Sequence, residues 1–173
     1  GTETDKRMNY RLSRIAAICG GKFSGCDSEV RSVVTDSRSL SCELGCRPMF
    51  VAMRGANHDS HDFIAGMQSR GVRAFLVERG VEASSCTGEC GFVQVDNAIE
   101  ALQRLAAYHR AQFRGTVVGI TGSNGKTVIK EWIAEELPEG MKYYRSPKSY
   151  NSQLGVPLSV LMLEGDEELA IFE

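Results

Sequence analysis

The stretch Gly119-Ile-Thr-Gly-Ser-Asn-Gly-Lys-Thr127 is where residue types and spacing best suit a chemical task. An apolar run, Thr116-Val-Val-Gly-Ile120, leads into it, and apolar residues at helical spacing follow it. The order is therefore strand, glycine-rich loop, helix. In that order the loop N–H groups and the helix N-terminus converge on one point, where the helix dipole adds roughly half a positive charge. A phosphate fits such a point. Gly122 and Gly125 allow the backbone to approach where a Cβ would clash, and Ser123 and Asn124 complete the loop. Lys126 can reach the β- and γ-phosphates, and the Thr127 hydroxyl can coordinate Mg²⁺. The strict pattern G-x-x-x-x-G-K-[ST] is not met, because Ile120 stands where the first glycine belongs and Gly119 lies one position earlier. An ordinary glycine-rich turn is the alternative, but it offers no packing reason for Lys-Thr at the helix start. The reading is a P-loop variant that binds a nucleoside triphosphate.

Two further clusters suggest metal chemistry when read as letters. Cys42/Cys46 and Cys86/Cys90 have the loose spacing of a four-thiolate zinc site, but a complete strand–helix–strand stretch lies between them. His58-Asp-Ser-His-Asp62 reads better as a polar helix entry than as a ligand set. The cysteines fit reduced thiols of a cytoplasmic protein.

These residues must be positioned by an alternation of strands and helices. Leu12, Ile15, Ala16 and Cys19 predict a short helix closed by Gly20-Gly21. A strand over 30–34 ends in the turn Thr35-Asp-Ser-Arg38. Strands over 49–53 and 74–78 flank a helix carrying Phe63, Ile64 and Met67, with Asp59 or Ser60 as its cap and Gly71 as its stop. A strand over 92–95 precedes a long helix opened by Asn97 and Glu100, whose inner face carries Leu102, Leu105, Ala106, His109 and Phe113. After the phosphate loop, a helix over 127–137 turns Val128, Ile129, Trp132, Ile133 and Leu137 inward. A short strand at Tyr143-Tyr144, a helix over 158–163 and a final strand at 169–173 follow. Alternation of this kind predicts an α/β fold with largely parallel sheet, with a boundary between two domains near 112–115.

Composition agrees with that class. The chain has 173 residues with 42% hydrophobic and 24% charged, so it can bury a core without staples. Its net charge of -2 gives no electrostatic case for general nucleic-acid or anionic-membrane binding. No apolar run approaches the ~20 residues of a membrane span, and the polar start is no signal peptide. Residues 1–7 read as a cloning scar before a native Met8, and the apolar ending Leu169-Ala-Ile-Phe-Glu173 predicts that a longer protein continues from a core strand.

The loop Thr121-Gly-Ser-Asn-Gly-Lys-Thr127 resembles that of the Mur ligase family, the ATP-dependent amino-acid ligases of peptidoglycan precursor synthesis. Thr35-Asp-Ser-Arg38, Met49-Phe-Val-Ala-Met-Arg-Gly55 and Asp59-Ser-His-Asp-Phe-Ile64 are similar to the family's N-terminal domain, which holds the UDP part of the substrate; Ser60 stands where the family usually has glycine. Ser149-Tyr-Asn-Ser-Gln-Leu-Gly-Val-Pro-Leu158 is similar to the Asn-Asn-x-x-Gly-Val-Pro segment of the branch that adds D-Ala-D-Ala, with Ser152 for the second asparagine. Its wording also looks like members fused to an alanine racemase. The Thr-Thr-Pro motif of the branch adding the third peptide residue is absent, and folylpolyglutamate synthases share the loop without the Thr-Asp-Ser-Arg domain.

The resemblance implies a UDP-substrate-binding domain over 8–113, then the first part of a P-loop central domain over 114–173. It implies ATP and Mg²⁺ as cofactors, UDP-N-acetylmuramoyl-tripeptide and D-Ala-D-Ala as substrates, and a fragment inactive without the rest of the protein. Lys126 and Glu173 would be catalytic, with Thr127 and Glu173 on Mg²⁺. Gly122 through Thr127 and Asn151 would hold ATP, while Ser37, Arg38, Arg54 and His61 would hold the UDP group. The residues by themselves leave alternatives: Asp36 as a turn-former, Arg38 as a surface ion-pair partner, His61 as part of the helix entry, Asn151 as a turn residue. A different ligase branch, a folylpolyglutamate synthase-like ligase or a non-catalytic nucleotide- or zinc-binding module are the competing functions.

Overall fold

The computed structural model describes residues 8–39, 47–55, 58–78, 89–122, 125–147 and 152–173. The chain forms two compact units. One spans Asn9–Leu105, and the other gathers Ala106–Glu173 together with Met8.

The Asn9–Leu105 unit is built on a five-stranded sheet. Four strands, β4 (Ser32–Val34), β5 (Pro48–Val51), β6 (Ala74–Val77) and β7 (Gly91–Gln94), run parallel in the spatial order β7-β6-β5-β4. An antiparallel strand β2 (Lys22–Gly25) closes the β7 edge, and β1 (Tyr10–Arg11) pairs with β3 (Glu29–Val30) apart from the sheet. Every residue of β5 and β6 is buried, which is why both read as unbroken apolar runs rather than alternating ones. Phe75 is the centre of this core. It stacks on Phe92 at 5.4 Å between ring centroids and meets Phe50 edge-on at 6.4 Å.

Helix α1 (Leu12–Cys19) ends at Gly20, whose φ of 68° is the left-handed C-cap expected of glycine there. Its opposite end is capped from a distance. Asp27 accepts Ser13 N at 3.0 Å and Ser13 Oγ at 2.6 Å, satisfying first-turn groups that no neighbouring side chain reaches. A 3₁₀ turn over Ser60–Phe63 leads into α2 (Ile64–Ser69). Before α3 (Ala98–Ala111), Asn97 Oδ1 accepts Glu100 N at 2.9 Å. The Glu100 carboxylate pairs with Arg104 instead of closing the capping box. The strand expected over 30–34 is broken at Arg31, whose N–H goes to Arg47 O, so its halves serve different partners.

The Ala106–Glu173 unit carries a three-stranded parallel sheet in the order β8 (Thr116–Gly119), β10 (Leu169–Phe172), β9 (Tyr143–Arg145). The central strand β10 is wholly buried. One of its faces packs Ala170 and Phe172 with Phe113 and Leu163. The other packs Leu169 and Ile171 with Ile120, Val118, Ile133, Leu137 and Met141. His109 sits in the core as a satisfied histidine, its Nε2 2.8 Å from Leu163 O.

Two expectations are corrected here. Helix α4 (Lys126–Glu135) turns Ile133 toward the sheet, but Val128, Ile129 and Trp132 face outward, with Trp132 63% exposed. The sheet-facing place one turn into the helix belongs to Lys130, which displaces the apolar stripe around the cylinder. Helix α5 covers Gly155–Leu161 rather than 158–163. Pro157 falls in its first turn, where a missing N–H costs nothing, and Ser152 Oγ accepts Gly155 N at 2.9 Å to start it. Among the described residues, no helix is long and apolar enough to cross a membrane.

Candidate functional site

The phosphate loop leaves β8 and enters α4 as its sequence predicts. Gly122 has φ 140° and Gly125 has φ 78°, both in the region that favours glycine. Among the described residues, a Cβ on either would meet nothing within 4 Å, which leaves space for a ligand there. Gly125 is also the N-cap of α4 and provides no side-chain acceptor for the helix N–H groups. Those groups and the positive end of the dipole are what an anion would meet. Lys126 opens the helix half-buried, and Thr127 follows it in the first turn. Ser123, Asn124 and Asn151 lie outside the described residues.

Glu173 follows β10, whose Phe172 is in register with Gly119 of β8, so sheet geometry brings the carboxylate to the strand end from which the loop departs. Its side chain is 7% exposed and its Oε2 lies 3.3 Å from Lys130 Nζ. Lys130 is 1% exposed at the side chain and donates also to Ser146 O at 2.7 Å. Ser146, just after β9, accepts Glu173 N at its Oγ at 3.2 Å. Hard oxygen donors such as the Glu173 carboxylate and a threonine hydroxyl suit Mg²⁺, which needs only one or two protein ligands beside phosphate oxygens and water. By donor chemistry the Glu173 carboxylate fits that ion. Lys130 and Ser146 were not foreseen from the sequence; the one available signal was that Lys130 lies one helical turn beyond Lys126.

In the other unit the predicted substrate residues all lie beyond the carboxyl ends of the parallel strands. Ser37 and Arg38 form a 3₁₀ turn after β4. Arg38 is paired with Asp36 by two side-chain bonds of 3.0 and 3.1 Å, its own N–H donates to Asp36 Oδ1 at 2.9 Å, and its side chain is 88% exposed. Asp36 is thus a turn-former, and its carboxyl is held below the usual range chiefly by the Arg38 hydrogen bond. Arg70 Nη1 pins the turn through Ser37 O at 2.7 Å.

Arg54 lies beyond β5, where Ser60 binds Met53 through both its N–H and its hydroxyl. His61 takes the place of a helix-entry residue. Its side chain is 1% exposed, Nδ1 is 2.6 Å from Asp59 Oδ1, and Nε2 accepts Glu78 N at 3.0 Å. Both ring nitrogens are engaged inside the protein, so the ring braces the loop rather than presenting a nitrogen outward. The sequence reading missed Glu78, at the end of β6, which joins several of these groups.

Of the residues weighed for zinc, Cys42, Cys46 and Cys86 lie outside the described residues, while Cys90 is buried in the core around Phe75. The acidic turn Glu164–Glu167 is structural. Glu167 accepts Glu164 N and Gly165 N at 2.6 and 3.1 Å, and Lys142 pairs with Glu164 and Asp166.

Residues 120–173, which contain the loop, α4, β10 and Glu173, match the Mur ligase middle domain. The likeness extends over the rest of the chain. The UDP-N-acetylmuramoyl-tripeptide--D-alanyl-D-alanine ligase of Escherichia coli K12 is 33% identical over 166 residues, 96% of this chain and 35% of that protein. Over that length this chain is similar to part of such a ligase, and its residues 120–173 are similar to the Mur ligase middle domain. The Synechocystis ligase of the same name is 34% identical over 147 residues, covering 85% of this chain and 31% of its own length. Among solved structures, MurF from Acinetobacter baumannii superposes with a TM-score of 0.82 at 27% identity, over 95% of this chain and 35% of the other. MurF from Thermotoga maritima in complex with ADP gives 0.69 at 31% identity, over 83% and 32%. The chain thus spans about a third of the length of the curated Mur ligases it matches.

Proposed function

We propose that this chain supplies the UDP-binding domain (8–113) and the first part of the ATP-binding domain (114–173) of a cytoplasmic ligase that joins D-Ala-D-Ala to UDP-N-acetylmuramoyl-tripeptide. The observation that carries the reading is the pairing of an open glycine loop at the start of α4 with a buried carboxylate at the end of the neighbouring strand. It is supported by similarity along the chain to ligases named for that substrate.

In this reading the reaction has two steps. The C-terminal carboxylate of the UDP-linked peptide attacks the γ-phosphorus of ATP, forming an acyl phosphate and releasing ADP. The amine of D-Ala-D-Ala then attacks the acyl carbon, a new amide forms, and inorganic phosphate leaves with the electron pair of the broken C–O bond. The physical demand is to hold a carboxylate against a triphosphate. The loop from Gly122 to Thr127 clamps the phosphates through its N–H groups, with Asn151 assigned to ATP by its sequence alone, and Lys126 neutralises charge as it moves to the bridging oxygen. Thr127 and Glu173 would hold Mg²⁺, whose bound charge lowers the repulsion between the two anions. Ser37, Arg38 and Arg54 bind the UDP diphosphate, with His61 bracing the loop behind them.

Calorimetric titration of the chain with UDP-N-acetylmuramoyl-tripeptide and, separately, with Mg-ATP tests this. Saturable binding of the UDP compound is expected, unchanged in Lys126→Ala, with a weaker Mg-ATP signal that the same substitution removes. A folded chain that does not bind the UDP compound overturns the reading. Where ligation is assayed, Lys126→Ala should abolish it, and retained activity refutes the role given to Lys126.

A further inference from the structure

We propose that Glu78 is the positioning residue of the substrate site, setting Arg54 for the diphosphate; this rests on the assignment of Arg54 to UDP made above. A carboxylate close to a site for an anion is electrostatically adverse unless N–H donors offset its charge. Each oxygen has one here. Oε1 accepts the backbone N–H of Arg54 at 2.7 Å, and Oε2 accepts that of Ala98 at 3.0 Å. The backbone of the same residue makes two more bonds. Glu78 O accepts Arg54 Nη2 at 3.2 Å, and Glu78 N donates to His61 Nε2 at 3.0 Å. One residue at the end of β6 therefore fixes the main chain of Arg54, one of its guanidinium N–H groups, the bracing ring of His61 and the first residue of α3.

Capping of α3 accounts for only half of the carboxylate's bonds: Glu78 Oε2 takes Ala98 N while Asn97 takes Glu100 N, and Oε1 serves no helix end. The bond peculiar to Glu78 is the one to Arg54 N, which lies in a short loop tied at Gly55 N to His58 O and at Met53 to Ser60. With that bond in place the five donors of the guanidinium start from a fixed backbone, one of them is anchored to Glu78 O, and the residue as a whole is exposed. Because the backbone bonds at Glu78 survive any side-chain substitution, its carboxylate can be tested apart from the His61 brace.

The test uses the 173-residue chain with Glu78→Ala and Glu78→Gln, read by amide hydrogen exchange without ligand and by titration with UDP and with uridine. A charge-assisted hydrogen bond is worth about 1.5–3 kcal/mol, so Glu78→Ala should speed exchange at Arg54 and weaken UDP by roughly 10- to 150-fold. Uridine, which lacks the phosphates, should change by less than about twofold on the same reasoning. Glu78→Gln keeps one acceptor and turns an amide N–H toward the other donor, so it should give an intermediate loss and also serves if Glu78→Ala does not fold. Unchanged exchange at Arg54 overturns the proposal, and so does an equal loss of UDP and uridine, which would mark a purely structural role. A wild-type chain that exchanges as expected but binds no UDP overturns the assignment of Arg54 to the diphosphate, a failure distinct from that of the Arg54–Glu78 bond.

Discussion

Replacing Lys130 by methionine isolates the energetics of the Lys130–Glu173–Ser146 cluster. Methionine has nearly the same length and helix propensity as lysine, so α4 itself should be little affected. What is lost is the charge. At 3.3 Å and an effective dielectric constant of about 20, the attraction between Nζ and Glu173 Oε2 is roughly 5 kcal/mol before desolvation. Burial of both side chains, at 1% and 7% exposure, offsets much of that in the intact pair. Once Lys130 is gone the attraction is lost while Glu173 keeps its poorly hydrated place, and Ser146 O loses the Lys130 donor as well. The expected cost is about 3–5 kcal/mol, the range for breaking a buried pair from one side. Lys130→Met/Glu173→Gln, which removes both charges, should recover at least about 2 kcal/mol of it. Since the chain has two compact units, amide exchange at Ala170 and Ile171, buried in β10, reads this unit alone. A Lys130→Met variant within about 1 kcal/mol of wild type would refute the reasoning, as would a double variant costing the sum of the singles.

Two further outcomes follow from other parts of the structure. Asp27→Ala should destabilise the Asn9–Leu105 unit by about 1 kcal/mol, the usual value of a helix N-cap, since Asp27 supplies the acceptors for the first turn of α1. The Asp27 carboxyl is held below its ordinary value, first by the Ser13 hydroxyl, so its contribution is complete above about pH 4 and fades as pH falls through the lower folded value. Urea midpoints of wild type and variant should converge in that range. His109 is shifted in the same direction at a higher pH: burial lowers its pKa from 6.5, against the opposing influence of Leu163 O and Glu167. The unfolded chain then takes up the proton first, so stability should decline as pH falls from 6.5 through the folded value, by at most about 1.4 kcal/mol per pH unit. Unfolding of β10 measured between pH 7.5 and 5 should show this slope, and His109→Gln should flatten it.

The parts of the fold that were legible in the sequence are those fixed by local geometry or full burial. Gly20, Asn97 and the Gly125–Lys126 helix entry declare themselves because left-handed backbone, side-chain capping and a phosphate loop each demand a narrow set of residues. Strands β5 and β6 are legible because parallel strands covered on both faces have no polar positions to interrupt the run. Strand β2 was not, since Lys22, Ser24 and Gly25 lie on an exposed edge, and its register comes from pairing with β7. The outward face of α4 was misread because a 3.6-residue period shows that an apolar stripe exists but not which side meets the sheet. Lys130 takes the inner place there through Ser146 and Glu173, which are 16 and 43 positions away in sequence. The candidate site divides the same way. Lys126 and Arg54 are visible as motif members, whereas Glu78 acts through contacts 20 and 24 positions distant.

Both units put their chemistry at the same end of their strands, and the reason is geometric. Ser37 follows β4, Arg54 follows β5, Glu78 follows β6 and Asn97 follows β7, while Gly122 follows β8, Ser146 follows β9 and Glu173 follows β10. Parallel strands leave a sheet in one direction, so every connection at that end begins beside its neighbours, and helix N-termini start there with unpaired N–H groups and positive dipole ends. The opposite end collects helix C-termini, which repel anions. A substrate carrying phosphate is therefore steered to the carboxyl ends by the backbone before any side chain is chosen. On the proposed function glycine and lysine would receive the charge, while the acidic residues at that end, Glu78 and Glu173, are offset by N–H groups and by Lys130. On this argument the buried partners of the carboxylates, more than the exposed cations, determine whether these two strand-end clusters can accept an anion.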